Sequence, residues 1–183
     1  MTTALLVIDL QNDYFDGGKM ELIDTTTAAA NARRLQEHFR NSGNPVVNIK
    51  HISDYPGATF FLPDSEGAEI HPQVSPVEGD LLVTKNFPNS FRNTNLEEEL
   101  RGLNVKSVVI CGAMSHMCID ATTRAAADLG FECTLIDDAC ATRDLAFKGT
   151  EISANQVQGA FMAALGAAYA KIQDCDSFLA EKS

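Results

Sequence analysis

The chain contains no tryptophan, few basic residues and no long hydrophobic run. Lysine and arginine number 14 against 25 acidic residues, a formal net charge of −11. Such a surface repels phosphate backbones and anionic lipid, so neither nucleic acid nor a membrane surface is an expected partner. No apolar stretch approaches the ~20 residues that cross a bilayer. The opening MTTALLVIDL has no basic segment ahead of its apolar run, which Asp9 interrupts, so it reads as a buried strand and not as a signal peptide. There is no Cys-x-x-Cys pair, and the five cysteines (Cys111, Cys118, Cys133, Cys140, Cys175) are an odd number. That pattern argues against a disulfide framework and for reduced thiols in a cytoplasmic protein. Gly-x-Gly-x-x-Gly and Walker sequences are also missing, which removes the usual signals for nucleotide binding.

What is present suits one globular domain spanning 1–183, since 45% of the residues are hydrophobic. Apolar runs alternate with amphipathic stretches. Strands are expected at Ala4–Ile8, Val46–Ile49, Leu81–Thr84, Val105–Cys111 and Phe131–Ile136, with a sixth, edge strand at Ala170–Gln173. Helices are expected at Thr25–Asn41, Asn93–Leu103, Ser115–Leu129 and Ile152–Tyr169. The stretch Ser53–Asp80, with its prolines and glycines, reads as a long functional loop. Strand–helix alternation requires crossovers, and right-handed crossovers cover both faces of a sheet. The expected fold is a three-layer α/β/α sandwich around a mostly parallel sheet of five or six strands.

In such sheets ligands bind beyond the carboxyl ends of the strands. Three chemically active residues fall there: Asp9 after the first strand, Lys85 after the third, and Cys118 a few residues past the fourth. Each alone has an ordinary reading, as a turn former, a surface lysine and a small core residue. Together they form a set able to generate a nucleophile. With Ser115 as N-cap, Cys118 would sit in a first helical turn. There the helix dipole and a nearby ammonium would lower its pKa and leave it ionised at neutral pH. An adjacent carboxylate would shuttle the proton.

These residues lie in longer motifs: Asp9-Leu-Gln-Asn-Asp13, Lys85 with Ser90-Phe91 behind it, Gly112-Ala-Met-Ser-His-Met-Cys118-Ile-Asp-Ala-Thr122, and Asp138-Ala-Cys-Ala141. In this order and spacing the set resembles the isochorismatase-like cysteine hydrolases, which include nicotinamidases, N-carbamoylsarcosine amidases and streptothricin hydrolases. The resemblance implies a catalytic triad of Asp9, Lys85 and Cys118. It implies a cis peptide between Ala113 and Met114, and an oxyanion hole formed by the backbone N–H groups of Met114 and Cys118. Phe15 and Phe91 match positions flanking the site, and His116 is a further pocket candidate. The sheet order implied is 3-2-1-4-5-6, in a homo-oligomer (dimer or tetramer).

Nicotinamidases carry a metal pocket built on an Asp-x-His motif and a further histidine. The stretch Lys50-His51-Ile-Ser-Asp54 lacks that spacing. His51, Asp54 and His71 would supply only the minimum of three ligands for a catalytic zinc, so no metal and no cofactor are expected. The expected activity is hydrolysis of a C–N bond in a small amide, carbamoyl or lactam substrate through a thioester on Cys118. The rivals are a vinyl-ether hydrolase with Asp9 as the acid and Cys118 dispensable, and a non-catalytic binding protein on the same fold.

Overall fold

The computed structural model describes residues 2–181. Six parallel strands form one sheet in the order β3-β2-β1-β4-β5-β8. They are β1 (Thr2–Ile8), β2 (Val46–His51), β3 (Leu81–Lys85), β4 (Val105–Ala113), β5 (Glu132–Ala141) and β8 (Lys171–Gln173). The helices are α1 (Thr25–Asn41), α2 (Leu96–Gly102), α3 (Asp120–Asp128), α4 (Ala154–Gly166) and α5 (Cys175–Glu181).

The central strand explains the layering. Leu5 and Val7 pack into one core with Leu35 and Phe39 of α1 and Phe178 of α5. Ala4, Leu6 and Ile8 pack into a second core with Leu96 and Leu100 of α2, Ala126 of α3 and Met162 and Leu165 of α4. A run that is apolar at every position therefore fills both faces of the sheet. Each fully buried aliphatic of this kind stabilises the fold by about 1.5–3 kcal/mol. Among the described residues no helix is long and apolar enough to cross a membrane.

The expected sandwich and strand order agree with this architecture, and several local expectations are corrected. The helix expected over Ser115–Leu129 is split: a π-helical turn over Ser115–Ile119 precedes α3. Ser115 is not an N-cap; Met114 holds that position, and the Ser115 hydroxyl donates to Gln158 Oε1 of α4, with Ala141 O beside it at 3.2 Å. The helix expected over Asn93–Leu103 shortens to α2. The helix expected over Ile152–Tyr169 shortens to α4, opened by a capping box between Ser153 and Gln156. A small antiparallel hairpin, β6 (Leu145–Phe147) with β7 (Thr150–Ile152), was not expected, nor was α5. The long loop contains only two short 3-10 turns, at Glu66–Ala68 and Pro72–Val74, and is anchored by the fully buried Phe61.

Candidate active site

The site begins where β1 stops. Asp9 has a left-handed backbone (φ 53°), a conformation that aspartate tolerates better than most residues. Its N–H bonds Ile49 O on β2, and its carboxylate turns inward and is completely buried. On the neighbouring strand Gly112 pairs with Ile8 at φ 124°, and any side chain there would collide with the Ile8 carbonyl. Glycine thus allows β4 to run close beside the end of β1. The next peptide, Ala113–Met114, is cis. The Met114 carbonyl then accepts from the N–H groups of Met117 and Ile119, the residues on either side of Cys118. The Asp138–Ala141 motif lies alongside: Cys140 pairs with Gly112 and Ala141 with Ala113.

The rest of the first motif is scaffolding. Gln11 Oε1 accepts from His51 N at 2.7 Å, and its Nε2 donates to His51 O and Ala68 O, clamping the end of β2. Asp13 accepts from Phe61 N at 2.7 Å and from Lys19 N at 3.2 Å, fixing the buried loop anchor.

Lys85 is the centre of the arrangement. Its side chain crosses the end of β2, and Nζ lies 2.7 Å from Asp9 Oδ2, 2.9 Å from His51 Nδ1, 3.2 Å from Phe87 O and 3.3 Å from Cys118 Sγ. Burial acts to lower the lysine pKa, but Asp9 and then Cys118 outweigh it and the net shift is upward. The group is a permanent ammonium. Because an ammonium only donates, His51 Nδ1 must accept, which places the ring proton of the neutral imidazole on Nε2. Burial holds the His51 pKa below its ordinary value, with Lys85 adding to the effect against Asp9.

Ligand atoms of Asp9, His51 and Cys118 come within 4.8 Å of one another, a spacing that suits a small cation. The Lys85 ammonium already bonds all three. The trio considered from sequence does not assemble: Asp54 is exposed, and His71 stacks on Phe15 at 3.6 Å and accepts from Gln73 N.

Cys118 departs from expectation. Its thiol pKa is raised, first by burial and then by Asp9, with Lys85 opposing too weakly to reverse the sign. The expected resting thiolate is therefore corrected to a thiol, because desolvation is the largest influence and Asp9 adds to it against Lys85. Asp9 Oδ1 is buried and has no hydrogen-bond partner among the described residues. One Asp9 carboxylate oxygen lies within 4.8 Å of Cys118 Sγ, so the free lone pair of this carboxylate can take the proton from sulfur when attack begins.

Beside Cys118 lies a cavity of about 150 Å³, small against the roughly 300–1,000 Å³ usual for drug-sized ligands. Tyr14, Tyr55, Phe60, Met114 and Met117 give it an apolar wall, and His51, Ser53 and Asn86 give it polar points. None of the three expected pocket side chains lines it. Phe15 is held by its stack on His71, Phe91 packs on Phe131 in the second core, and His116 bonds Thr142 Oγ1 at 2.7 Å. The sequence does not single out Tyr14, and it offers His51 only as a metal-ligand candidate. The strand-end rule would have found His51 had β2 been extended two residues. Tyr14 closes a 3-10 turn, Asn12–Tyr14, and lines the cavity, whereas Phe15 follows the turn in extended backbone and does not.

Comparison with known proteins agrees with this geometry. A family model described as the isochorismatase domain matches residues 3–166. An uncharacterized isochorismatase family protein of Bacillus subtilis is 50% identical over 179 residues, covering 98% of this chain and 99% of its own. The crystal structure of an isochorismatase from Pseudomonas putida KT2440 superposes with a TM-score of 0.90 at 36% identity, covering 96% of this chain and 89% of that one. N-carbamoylsarcosine amidase from Thermoplasma acidophilum superposes with a TM-score of 0.82 at 26% identity, covering 96% and 98%.

Proposed function

This chain belongs to the isochorismatase family and is a hydrolase, and on that premise we propose that it cleaves a C–N bond of a small amide, carbamoyl or lactam substrate with Cys118 as nucleophile. One observation carries the reading: a single buried ammonium, Lys85, bridges Asp9 at 2.7 Å and Cys118 at 3.3 Å, and Cys118 lines a cavity. The structural likeness to an amidase supports it.

The steps balance around Asp9. As Cys118 Sγ bonds the substrate carbon, its proton passes to Asp9 and the carbonyl π pair moves to oxygen. That oxyanion is received by the N–H groups of Met114 and Cys118; no described residue accepts from the Met114 N–H. The C–N bond then breaks, and Asp9 returns the proton to the departing amine. Water attacks the thioester while losing a proton to Asp9, the C–S bond breaks, and sulfur regains the proton. Lys85 keeps the carboxylate oriented and stabilises sulfur whenever it carries negative charge.

Vinyl-ether cleavage by Asp9 alone leaves unexplained why Cys118 borders the cavity against that carboxylate. Replacement separates the two. Cys118→Ala should lower hydrolysis of an amide, carbamate and lactam panel by about 10⁴-fold or more, as removal of a covalent nucleophile does. An enzyme that turns over its substrate equally well without the thiol would refute the proposal.

A further inference from the structure

Several hydrogen-bonding groups on the cavity wall have no partner among the described residues: the Ser53 and Tyr55 hydroxyls and, against the buried Asp9–Lys85–Cys118 cluster, groups on Tyr14 and His51. Tyr14 is only 2% exposed, and its ring is held by Phe61 and Phe60 at centroid distances of 4.5 and 5.9 Å. Its hydroxyl bonds no described residue, although it borders the cavity. Burial first, with the neighbouring Asp9 carboxylate adding to it, raises the phenol well above its ordinary pKa, so it stays protonated. His51 spends Nδ1 on Lys85, which leaves an Nε2–H with no described partner on the same wall. Both groups face the cavity, so a ligand that fills it either pairs with them or leaves them desolvated and unpaired, at a cost of about 1–3 kcal/mol each.

The charge balance of the cavity is equally restrictive. None of its lining side chains is ionic. Lys85 is already committed to Asp9, His51, Phe87 O and Cys118. Arg143, whose charge reaches Tyr14 and His116, is exposed and does not line the cavity.

We infer that Tyr14 and His51 form a recognition pair selecting small uncharged substrates that carry a hydrogen-bond acceptor, an ether or carbonyl oxygen or a ring nitrogen, beyond the scissile group. This rests on the site assignment proposed above and adds the substrate class. A donor-only N–H beside a hydroxyl rewards an acceptor and leaves a hydrocarbon analogue with two unpaired groups to desolvate.

The test is protection of Cys118 from alkylation by iodoacetamide, read by peptide mass spectrometry, with the near-isosteric pair methoxyacetamide and butanamide and with the anion succinamate. It registers binding whether or not the ligand is hydrolysed. Methoxyacetamide should protect at about three- to tenfold lower concentration than butanamide, the range for one net hydrogen bond, and succinamate should protect no better than butanamide. Tyr14→Phe keeps the ring and should reduce the preference. His51→Leu should also reduce it, whereas His51→Gln, which retains an acceptor for Lys85 and a donor for the ligand, should preserve it. Because each preference is a ratio within one variant, changes in thiol reactivity cancel. Equal protection by the pair, no protection at all, or better protection by succinamate would overturn the inference. Selective protection without hydrolysis of any amide would uphold it while refuting the proposed reaction, and hydrolysis without selectivity would do the reverse.

Discussion

Two carboxylates, Asp9 and Asp80, are buried at opposite ends of the same parallel sheet, and they are treated differently. Asp80 precedes β3 at its amino end, with a side chain 4% exposed. It accepts from Arg40 Nε at 3.2 Å and Nη2 at 2.6 Å, from Asn48 Nδ2 at 3.1 Å and from Val77 N at 3.1 Å. Asn48 in turn accepts from Gln36 at 2.8 Å. Asp9, at the carboxyl end of β1, is wholly buried with one strong partner on Oδ2 and none on Oδ1. A saturated carboxylate holds structure. An unsaturated one next to a thiol keeps a lone pair free for chemistry, at the expense of stability, and only the second kind lies beside a residue that lines the cavity at Cys118.

Substituting each carboxylate sharpens the contrast. Asp9→Asn removes the proton acceptor and should lower amide hydrolysis by about 10²–10⁴-fold, the usual weight of general acid–base catalysis. The same change should accelerate alkylation of Cys118 at pH 7.5. Asp9 raises the thiol pKa and Lys85 lowers it, so losing the carboxylate leaves the ammonium unopposed. Opposite signs for turnover and alkylation in one variant would separate a base from a structural anion; a fall in both would not.

The unmodified enzyme gives the next largest effect. With its thiol pKa raised, Cys118 should alkylate about tenfold faster for each pH unit from 7 to 9, the proportionality of a thiolate present in trace. A rate already level at pH 7 would mean that the thiolate is the resting form. The smallest effect belongs to the saturated site. Asp80→Asn should cost about 1–3 kcal/mol of stability through weakened charged hydrogen bonds, measured by chemical denaturation, with kcat/KM within threefold of the parent enzyme. A large catalytic loss from Asp80→Asn would dissolve the distinction drawn between the two carboxylates.

The same contrast marks how far the amino-acid sequence is readable. Apolar runs such as Ala4–Ile8 announce buried strands, because a strand covered on both faces has no place for polar residues. The strand-end rule then points to Asp9, Lys85 and Cys118, which converge in space. What stayed hidden depends on local geometry finer than periodicity. The cavity is lined by Tyr14 and not Phe15, because the 3-10 turn ends at Tyr14 and the backbone is extended at Phe15. His51 joins the polar centre because β2 runs two residues further than its apolar residues suggest. The direction of the Cys118 shift was misread for a different reason: helix position and a neighbouring cation favour ionisation, but full desolvation and a paired anion outweigh them, and burial depth is not legible in a motif. Ser115 does not cap because its hydroxyl is drawn to Gln158 Oε1 of α4, with Ala141 O of β5 beside it.

The most direct measurement is rapid acid quenching during turnover of an amide substrate, followed by peptide mass spectrometry. The account predicts an acyl group attached through sulfur to the peptide carrying Cys118, absent in Cys118→Ala and accumulating in Asp9→Asn if deacylation becomes the slower step. Sustained amide hydrolysis with every cysteine unmodified, in the parent enzyme and in Cys118→Ala alike, would contradict it.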